Sequence, residues 1–275
     1  LDHPNIVPVH DLVKDDSGNA FMAMKMVHGV SWKELLHPGD DEELQKRSED
    51  MSLRNHLEIL LKVCDAMSFS HSQNIIHRDL KPENIMVGGY GEVLVMDWGV
   101  AVAAGDADEN AKTIHVSSVT TPAGTPAYMA PEMAAGEGEK IGIGSDIYLL
   151  GAILYELLTE CPPHTGKSLT EVLQSASTGA VTPPQERTPD KTVSRELSRI
   201  AMKALSPEIA DRYGSASEFA DVLREYLAHE ESLKVTEKGL ELLEQLKKEG
   251  EVPGERRYST FQQSLSLFSQ ALSMY

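Results

Sequence analysis

The chain is poor in cysteine and contains no long apolar run. Only two of its 275 residues are cysteines, Cys64 and Cys161. Two thiols cannot build the disulfide framework of a small secreted protein, so a reducing, cytoplasmic compartment is expected. No apolar stretch approaches the roughly 20 residues that cross a bilayer. We therefore expect no membrane segment in this chain, while an anchor elsewhere in the full-length protein stays open.

Basic residues are scarce relative to acidic ones. Lys and Arg number 25 against 43 Asp and Glu, which gives a formal net charge of −18. A surface this acidic repels nucleic-acid phosphates and anionic lipid headgroups, so neither is an expected partner. An initial Met is also lacking, and the opening Leu-Asp-His-Pro is not a signal peptide. The chain is interpreted as a piece of a longer protein.

The first half of the sequence predicts a few strands and two helices. The strands predicted from short apolar runs cover residues 6–13, 20–27, 85–87 and 93–96, with a polar turn at residues 15–19. The predicted helices cover residues 32–36, with Ser31 and Glu34 as a capping box, and residues 52–70. The charged residues 38–50 predict an exposed acidic loop, and residues 101–125 predict a long loop.

The second half predicts helices. Apolar spacing places them at residues 147–158, 170–175, 196–205 and 217–229. Residues 230–250 are rich in Glu, Lys and Leu, Pro253 breaks this pattern, and residues 255–275 predict another amphipathic helix. The expected class is α+β, with a C-terminal helical appendage over residues 230–275 that is either a linker or the start of a further helical region.

One octapeptide carries the clearest chemical signal. It reads His77-Arg78-Asp79-Leu80-Lys81-Pro82-Glu83-Asn84, and Asp97-Trp98-Gly99 begins 13 residues after it. Phosphoryl transfer from a nucleotide needs a carboxylate that orients the attacking hydroxyl, a cation on the γ-phosphate and oxygen ligands for Mg²⁺. Asp79 and Lys81 can supply the first two. Asn84 and Asp97 can supply the metal ligands.

This combination resembles the protein kinases of the Ser/Thr type, and the residues of its motifs are most similar to those of bacterial members. Residues 124–132 (Gly-Thr-Pro-Ala-Tyr-Met-Ala-Pro-Glu) resemble the end of a kinase activation segment. Asp146 resembles the aspartate that opens the central helix of the large lobe, and Arg212 resembles the arginine that pairs with Glu132. The resemblance covers residues 1–229 and implies a protein-kinase-like fold, with a mostly helical C-lobe and only the last strands of the N-lobe.

The resemblance also implies a role for each matching residue. Asp79 accepts the proton of the substrate hydroxyl, Lys81 steadies the γ-phosphate of ATP, and Asn84 and Asp97 hold Mg²⁺, with Mn²⁺ as an alternative. The residues implied around the adenine are Met24, Lys25, Val27 and Met86. The residues implied to support the site are His77, Arg78, Thr125, Glu132, Asp146 and Arg212, with Thr125 contacting Asp79 and Lys81.

Arg78 indicates a way in which the enzyme is switched. An arginine before the catalytic aspartate is typical of kinases that are activated when a phosphate in the activation loop pairs with it. Thr120 and Thr121 are the leading candidates for that phosphate, ahead of Ser117 and Ser118. The implied partner is a protein with a Ser or Thr acceptor, and self-association for autophosphorylation is a further expectation.

Three parts that a kinase needs are missing from this sequence. They are the glycine-rich loop over the phosphates, the strand lysine and the helix glutamate that holds it. No Gly-x-Gly-x-x-Gly occurs before residue 29, so these parts are expected to lie upstream. On that interpretation the chain alone binds ATP poorly and transfers phosphate slowly or not at all.

Two other functions remain open at this point. The first is a pseudokinase or binding scaffold, against which the intact Asp79, Lys81, Asn84 and Asp97 argue. The second is a small-molecule phosphotransferase, which shares the Asp-x-x-x-x-Asn loop. Residues 124–132 and Arg212 argue against it, because in kinases they serve protein-substrate docking.

Overall fold

Seven short strands form three small antiparallel sheets in the computed structural model, which describes residues 1–14, 20–105, 114–248 and 254–273. The strands are β1 (Val9–Lys14), β2 (Ala20–Met24), β3 (Gly29–Ser31), β4 (Ile75–Ile76), β5 (Ile85–Gly88), β6 (Val93–Val95) and β7 (Val102–Ala103). β1 pairs with β2, β4 with β7, and β5 lies between β3 and β6. The predicted first hairpin is therefore present, although its turn at residues 15–19 lies outside the described residues.

Ten helices account for most of the remaining described chain. They are α1 (Trp32–Leu36), α2 (Glu42–Glu49), α3 (Leu53–Ser72), α4 (Pro131–Ala134), α5 (Ile143–Thr159), α6 (Leu169–Thr178), α7 (Pro184–Arg187), α8 (Arg195–Ala204), α9 (Ala216–Lys248) and α10 (Gly254–Ser273). A small amount of sheet followed by many helices confirms the predicted α+β class. By their contacts, residues Leu1–Ala220 and Asp221–Tyr275 form two compact units.

Helix caps explain where two of the early helices begin. The Ser31 hydroxyl accepts from the Glu34 amide at 3.2 Å, and the Glu34 carboxylate accepts from the Ser31 amide at 2.7 Å. This is the predicted capping box. Ser52 and Asn55 form the same arrangement at the start of α3, which confirms that helix and extends it to Ser72.

The predicted loop over residues 38–50 is wrong, because α2 lies there. Asp41 caps the helix by accepting from the Glu43 and Leu44 amides, each at 3.0 Å. Acidic residues follow in the first turn and basic residues in the last, which suits the helix dipole. The high charge therefore reflects an exposed helix without any buried residue rather than a loop.

The core of the first unit surrounds α5. Fourteen of its residues are buried, and it packs against α3 and α8. α5 begins four residues before the predicted start, since its first turn holds Gly144, Ser145 and Asp146. Ser145 and Asp146 are polar, and their buried side chains bond to the segments that form the candidate site.

The end of the chain forms an antiparallel helix pair. α9 continues through residue 229 without a break, because the Glu, Lys and Leu residues that follow are all good helix formers. Ser232 of α9 bonds to Ala271 of α10, and Gly239 bonds to Ser264, so contacts run in opposite directions along the two helices. The described helices include none that is long and apolar enough to cross a membrane. The predicted break at Pro253 lies outside the described residues.

Candidate active site

Residues 77–84 form the connection between β4 and β5, and the Asp79 carboxylate lies at its centre. Asp79 is 8% exposed. Its Oδ2 lies 2.9 Å from Lys81 Nζ and accepts from Asn84 Nδ2 at 3.0 Å, while its Oδ1 accepts from Thr125 Oγ1 at 2.7 Å. Lys81 Nζ also donates to Thr125 Oγ1. The structure thus brings Asp79, Lys81, Asn84 and Thr125 together around one carboxylate.

The Asn84 side chain is oriented by two bonds from its amide nitrogen. Nδ2 donates to Asp79 O at 2.8 Å as well as to its carboxylate. No hydrogen bond within the described residues uses Asn84 Oδ1, which is an oxygen of the type that Mg²⁺ prefers. The Met96 amide donates to Asn84 O at 2.8 Å. Asp97 directly follows Met96, so this backbone bond places it one residue from the backbone partner of Asn84.

Asp97 lies just beyond β6 in a left-handed conformation with φ of 53°. Its side chain is exposed, and Oδ1 accepts from the Gly99 amide at 3.3 Å. Asn84 Oδ1 and the second Asp97 oxygen are both hard oxygen donors, so the residues present fit a magnesium ion.

His77 connects the backbone at Asp79 to the backbone at Met96, the residue before Asp97. It is fully buried, its Nδ1 accepts from the Asp79 amide at 3.2 Å, and its Nε2 lies 3.0 Å from Met96 O. An amide donor needs the Nδ1 lone pair and a carbonyl needs an N–H, so the ring is the neutral Nε2–H tautomer. Burial lowers the pKa of His77, in agreement with a neutral ring.

The Asp146 carboxylate fixes the backbone at the start of the octapeptide. It accepts from the His77 and Arg78 amides, each at 2.9 Å, and from His71 Nε2 at 2.8 Å. Burial alone would raise the pKa of Asp146, but these bonds and the nearby histidines outweigh it and lower that pKa. Asp146 therefore stays ionised and helps to hold Arg78 at its unusual φ of 70°.

Gly124 lets the segment that carries Thr125 approach the octapeptide. Its φ is 112°, and a Cβ atom there would lie 2.6 Å from Arg78 O. Only glycine fits both constraints. This close approach is what brings the Thr125 hydroxyl to Asp79.

Arg212 and Glu132 form a buried pair across 80 residues of sequence. Arg212 Nη1 and Nη2 donate to the two Glu132 oxygens at 2.8 and 2.9 Å. The Ser145 hydroxyl donates to Glu132 at 2.7 Å, and Arg212 also donates to three backbone carbonyls. The pair thereby ties α4 to the start of α5.

Among the described residues, no hydrogen bond joins the four residues implied around the adenine to one another. Met24 ends β2 with 37% exposure, Val27 follows it, and Met86 lies half-buried in β5. The Lys25 amide donates to Pro8 O at 2.9 Å, so its carbonyl is the backbone group left for adenine. The expectation that Lys25 takes part is thus limited to an acceptor role.

Thr120 and Thr121 are exposed, and among the described residues no hydrogen bond joins either of them to Arg78. Their backbone packs on Gly136, where a Cβ would lie 3.1 Å from Thr120 O. The Arg78 guanidinium is buried, Nη1 donates to Val100 O at 3.2 Å, and Nε has no partner.

A further buried carboxylate, Glu156, was missed by the sequence analysis. Lys33 Nζ lies 2.6 Å from its Oε1, His37 Nε2 lies 3.1 Å from the same oxygen, and the Tyr128 hydroxyl donates to Oε2 at 2.6 Å. Burial and the Glu156 charge raise the pKa of Tyr128, which keeps its proton. A lone glutamate within the apolar α5 was the available signal.

Comparisons with known proteins agree with this geometry. The family model described as "Protein kinase domain" matches residues 1–230. The chain is 37% identical over 248 residues to the serine/threonine-protein kinase PknD of Chlamydia trachomatis serovar L2b, covering 82% of this chain and 26% of that protein. It is 35% identical over 228 residues to the serine/threonine-protein kinase PknB of Mycolicibacterium smegmatis, covering 82% and 34%.

A third relative extends the same picture. It is the serine/threonine-protein kinase PknD of Protochlamydia amoebophila, 33% identical over 240 residues, with 82% of this chain and 24% of that protein covered. The chain therefore spans about a quarter to a third of the length of these relatives. On the family match and these identities, the chain belongs to the protein kinase domain family.

Proposed function

We propose that this chain is the catalytic part of a protein kinase that transfers the γ-phosphate of ATP to Ser and Thr hydroxyls of proteins. The observation that carries the proposal is the Asp79 carboxylate, which is bonded to Lys81, Asn84 and Thr125 within 3.0 Å. A carboxylate held by three side chains has a defined direction. Positioning of the reactants, including the attacking hydroxyl, is together with electrostatic stabilisation almost all that a protein contributes to phosphoryl transfer.

Asp79 would act on the acceptor hydroxyl. The hydroxyl hydrogen-bonds to an Asp79 oxygen, its oxygen forms the new bond to the γ-phosphorus, and the bond from that phosphorus to the β-phosphate oxygen breaks. The hydroxyl proton passes to Asp79, and ADP leaves with the electron pair. Lys81 would place its ammonium on the γ-phosphate oxygens, where negative charge is carried during transfer.

Asn84 and Asp97 would hold Mg²⁺, with Mn²⁺ as the alternative. The ion, when bound, neutralises charge on the ATP phosphates. Asn84 presents Oδ1 for this purpose because both bonds from Nδ2 go to Asp79. Lys25 O and the Val27 amide would bind the adenine edge, between Met24 and Met86.

Loop phosphorylation at Thr120 or Thr121 would activate the enzyme. Arg78 supports this proposal, since its buried Nε has no partner and its guanidinium is a natural phosphate ligand. A phosphorylated loop would move to Arg78 and order residues near Asp79. If so, Arg78→Ala removes the rate difference between the phosphorylated and unphosphorylated forms, measured on forms separated by ion exchange.

The acceptor chemistry provides the direct test. Residues 1–275 are incubated with radiolabelled ATP, Mg²⁺ and a mixture of casein and basic protein, and the phosphoamino acids are separated after acid hydrolysis. We expect phosphoserine and phosphothreonine at a slow rate, since the 275 residues include no glycine-rich loop. Phosphotyrosine alone, or transfer to glycerol or choline but to no protein, would contradict the proposal.

A further inference from the structure

Small residues line the contact between α9 and α10. Ser232 and Gly239 of α9, and Ser264 and Ala271 of α10, are all buried. The Ser264 hydroxyl donates to Gly239 O at 3.0 Å, and the Ser232 hydroxyl donates to Ala271 O at 3.1 Å. A Cβ on Gly239 would lie 3.0 Å from the Phe268 ring, so the helices are in close contact.

Four leucines of this pair are exposed instead. One leucine directly follows each of the four small residues, and the exposed fractions are 50% for Leu233, 52% for Leu240, 43% for Leu265 and 76% for Leu272. One residue is a rotation of about 100° around a helix. Because the helices are antiparallel and the rotation has the same sense on both, the two leucine stripes lie on the same side of the pair.

Two aromatic residues extend the stripe on α10. Phe261 is 45% exposed and Tyr258 is 66% exposed, and they precede Leu265 by four and seven residues. We call these six side chains the leucine face: Leu233, Leu240, Tyr258, Phe261, Leu265 and Leu272. An exposed patch of large apolar side chains typically marks an interaction site, so we expect the leucine face to have a partner.

Charge favours a second copy of the same chain as that partner. The chain has a net charge of −18, but residues 221–275 hold ten acidic and seven basic residues, and residues 258–273 hold no charged residue. Two copies that approach through this surface therefore avoid most of their mutual repulsion. The spacing is also symmetric, since Tyr258 and Leu272 each lie seven residues from Leu265. A two-fold axis at Leu265 would set Tyr258 of one copy against Leu272 of the other.

We propose that two copies of the chain associate through the leucine face and form a four-helix bundle. The six side chains expose roughly 600 Å² per copy, so a pair buries about 1,200 Å², the lower end for a specific interface. Such a dimer is reversible, with a dissociation constant in the micromolar range of about 1–50 μM. The proposal does not depend on kinase activity.

Sedimentation equilibrium of residues 1–275 between about 1 and 200 μM, a range that brackets this affinity, tests the proposal. We expect the mass to rise from 30.1 kDa toward twice that value as concentration increases. Leu265→Glu should raise the dissociation constant at least tenfold. Ser266→Glu is the matched control, since it adds the same charge to the neighbouring, exposed position and should leave the constant within twofold.

A mass of 30.1 kDa at every concentration would overturn the proposal, and so would equal effects of the two variants. Circular dichroism establishes that each variant keeps its helix content. If Leu265→Glu loses helix, Leu240→Gln replaces it, because it removes one leucine from the other helix without adding a charge. Unchanged association of a folded Leu240→Gln chain would then count against the leucine face.

Discussion

Replacing Arg212 by alanine should destabilise the first unit severely. Arg212 and Glu132 are joined by two bonds of 2.8 and 2.9 Å, and their side chains are 0% and 3% exposed. Removing one partner of a buried pair typically costs about 3–5 kcal/mol, because the other charge is left in a low-dielectric environment. A unit of about 200 residues loses roughly 2–4 °C in its melting temperature per kcal/mol. We therefore expect a drop on the order of 10 °C.

Tryptophan fluorescence can isolate this effect. The chain has two tryptophans, Trp32 and Trp98, and both lie within Leu1–Ala220, so their emission follows that unit during heating. Lys140→Ala is the control, since Lys140 forms an exposed pair with Glu137 and should leave the midpoint unchanged. A shift for Arg212→Ala as small as that of the control would refute the claim that the pair holds α4 to α5.

Three further predictions concern Thr125, His164 and His77. Thr125→Val should lower the transfer rate by about 10-fold or more, since Asp79 and Lys81 lose a shared hydroxyl. Thr125→Ser keeps the hydroxyl and should recover most of the rate. Equal transfer rates for the two variants would count against this role of Thr125. Burial lowers the pKa of His164 to about 4, so the unfolded state binds a proton first as pH falls. Stability should therefore decrease from about pH 6.5 to about pH 4, and His164→Gln should flatten that decrease in urea titrations. His77→Phe keeps the ring volume but removes the bonds to Asp79 and Met96, so the transfer rate should fall at unchanged ATP affinity, which a fluorescent nucleotide can report.

Local patterns made most of the helices predictable. The box of Ser31 and Glu34 and the apolar spacing of residues 52–70 depend on neighbours within one or two turns, which the sequence displays directly. α2 was missed because it has no buried apolar face, so its sequence lacks the apolar spacing that predicts a helix. Its stability depends on Asp41 at its start and on Arg47, which donates to carbonyls of β5 some forty residues away.

The sequence predicted the octapeptide and Asp97 but not the Glu156 cluster. The functional residues of the octapeptide and Asp97 lie close together in the sequence, so their spacing and the family resemblance were enough to identify them. The Glu156 cluster combines Lys33 and His37, at the end of α1, with Tyr128 from a distant segment, and no local pattern relates these segments to Glu156. The same limit applies to Lys25, whose amide is engaged by Pro8 through the pairing of β1 and β2.

The central claim is that Asp79 carries out phosphate transfer, and phosphopeptide mapping of the chain after incubation with ATP and Mg²⁺ tests it most directly. Asp79→Asn is the matched variant, because it keeps the size of the side chain and removes the proton acceptor. We predict a small amount of phosphate on Ser or Thr residues of the unaltered chain, with Thr120 or Thr121 among them, and none on the variant. Equal phosphate on the unaltered chain and on the variant would contradict the account.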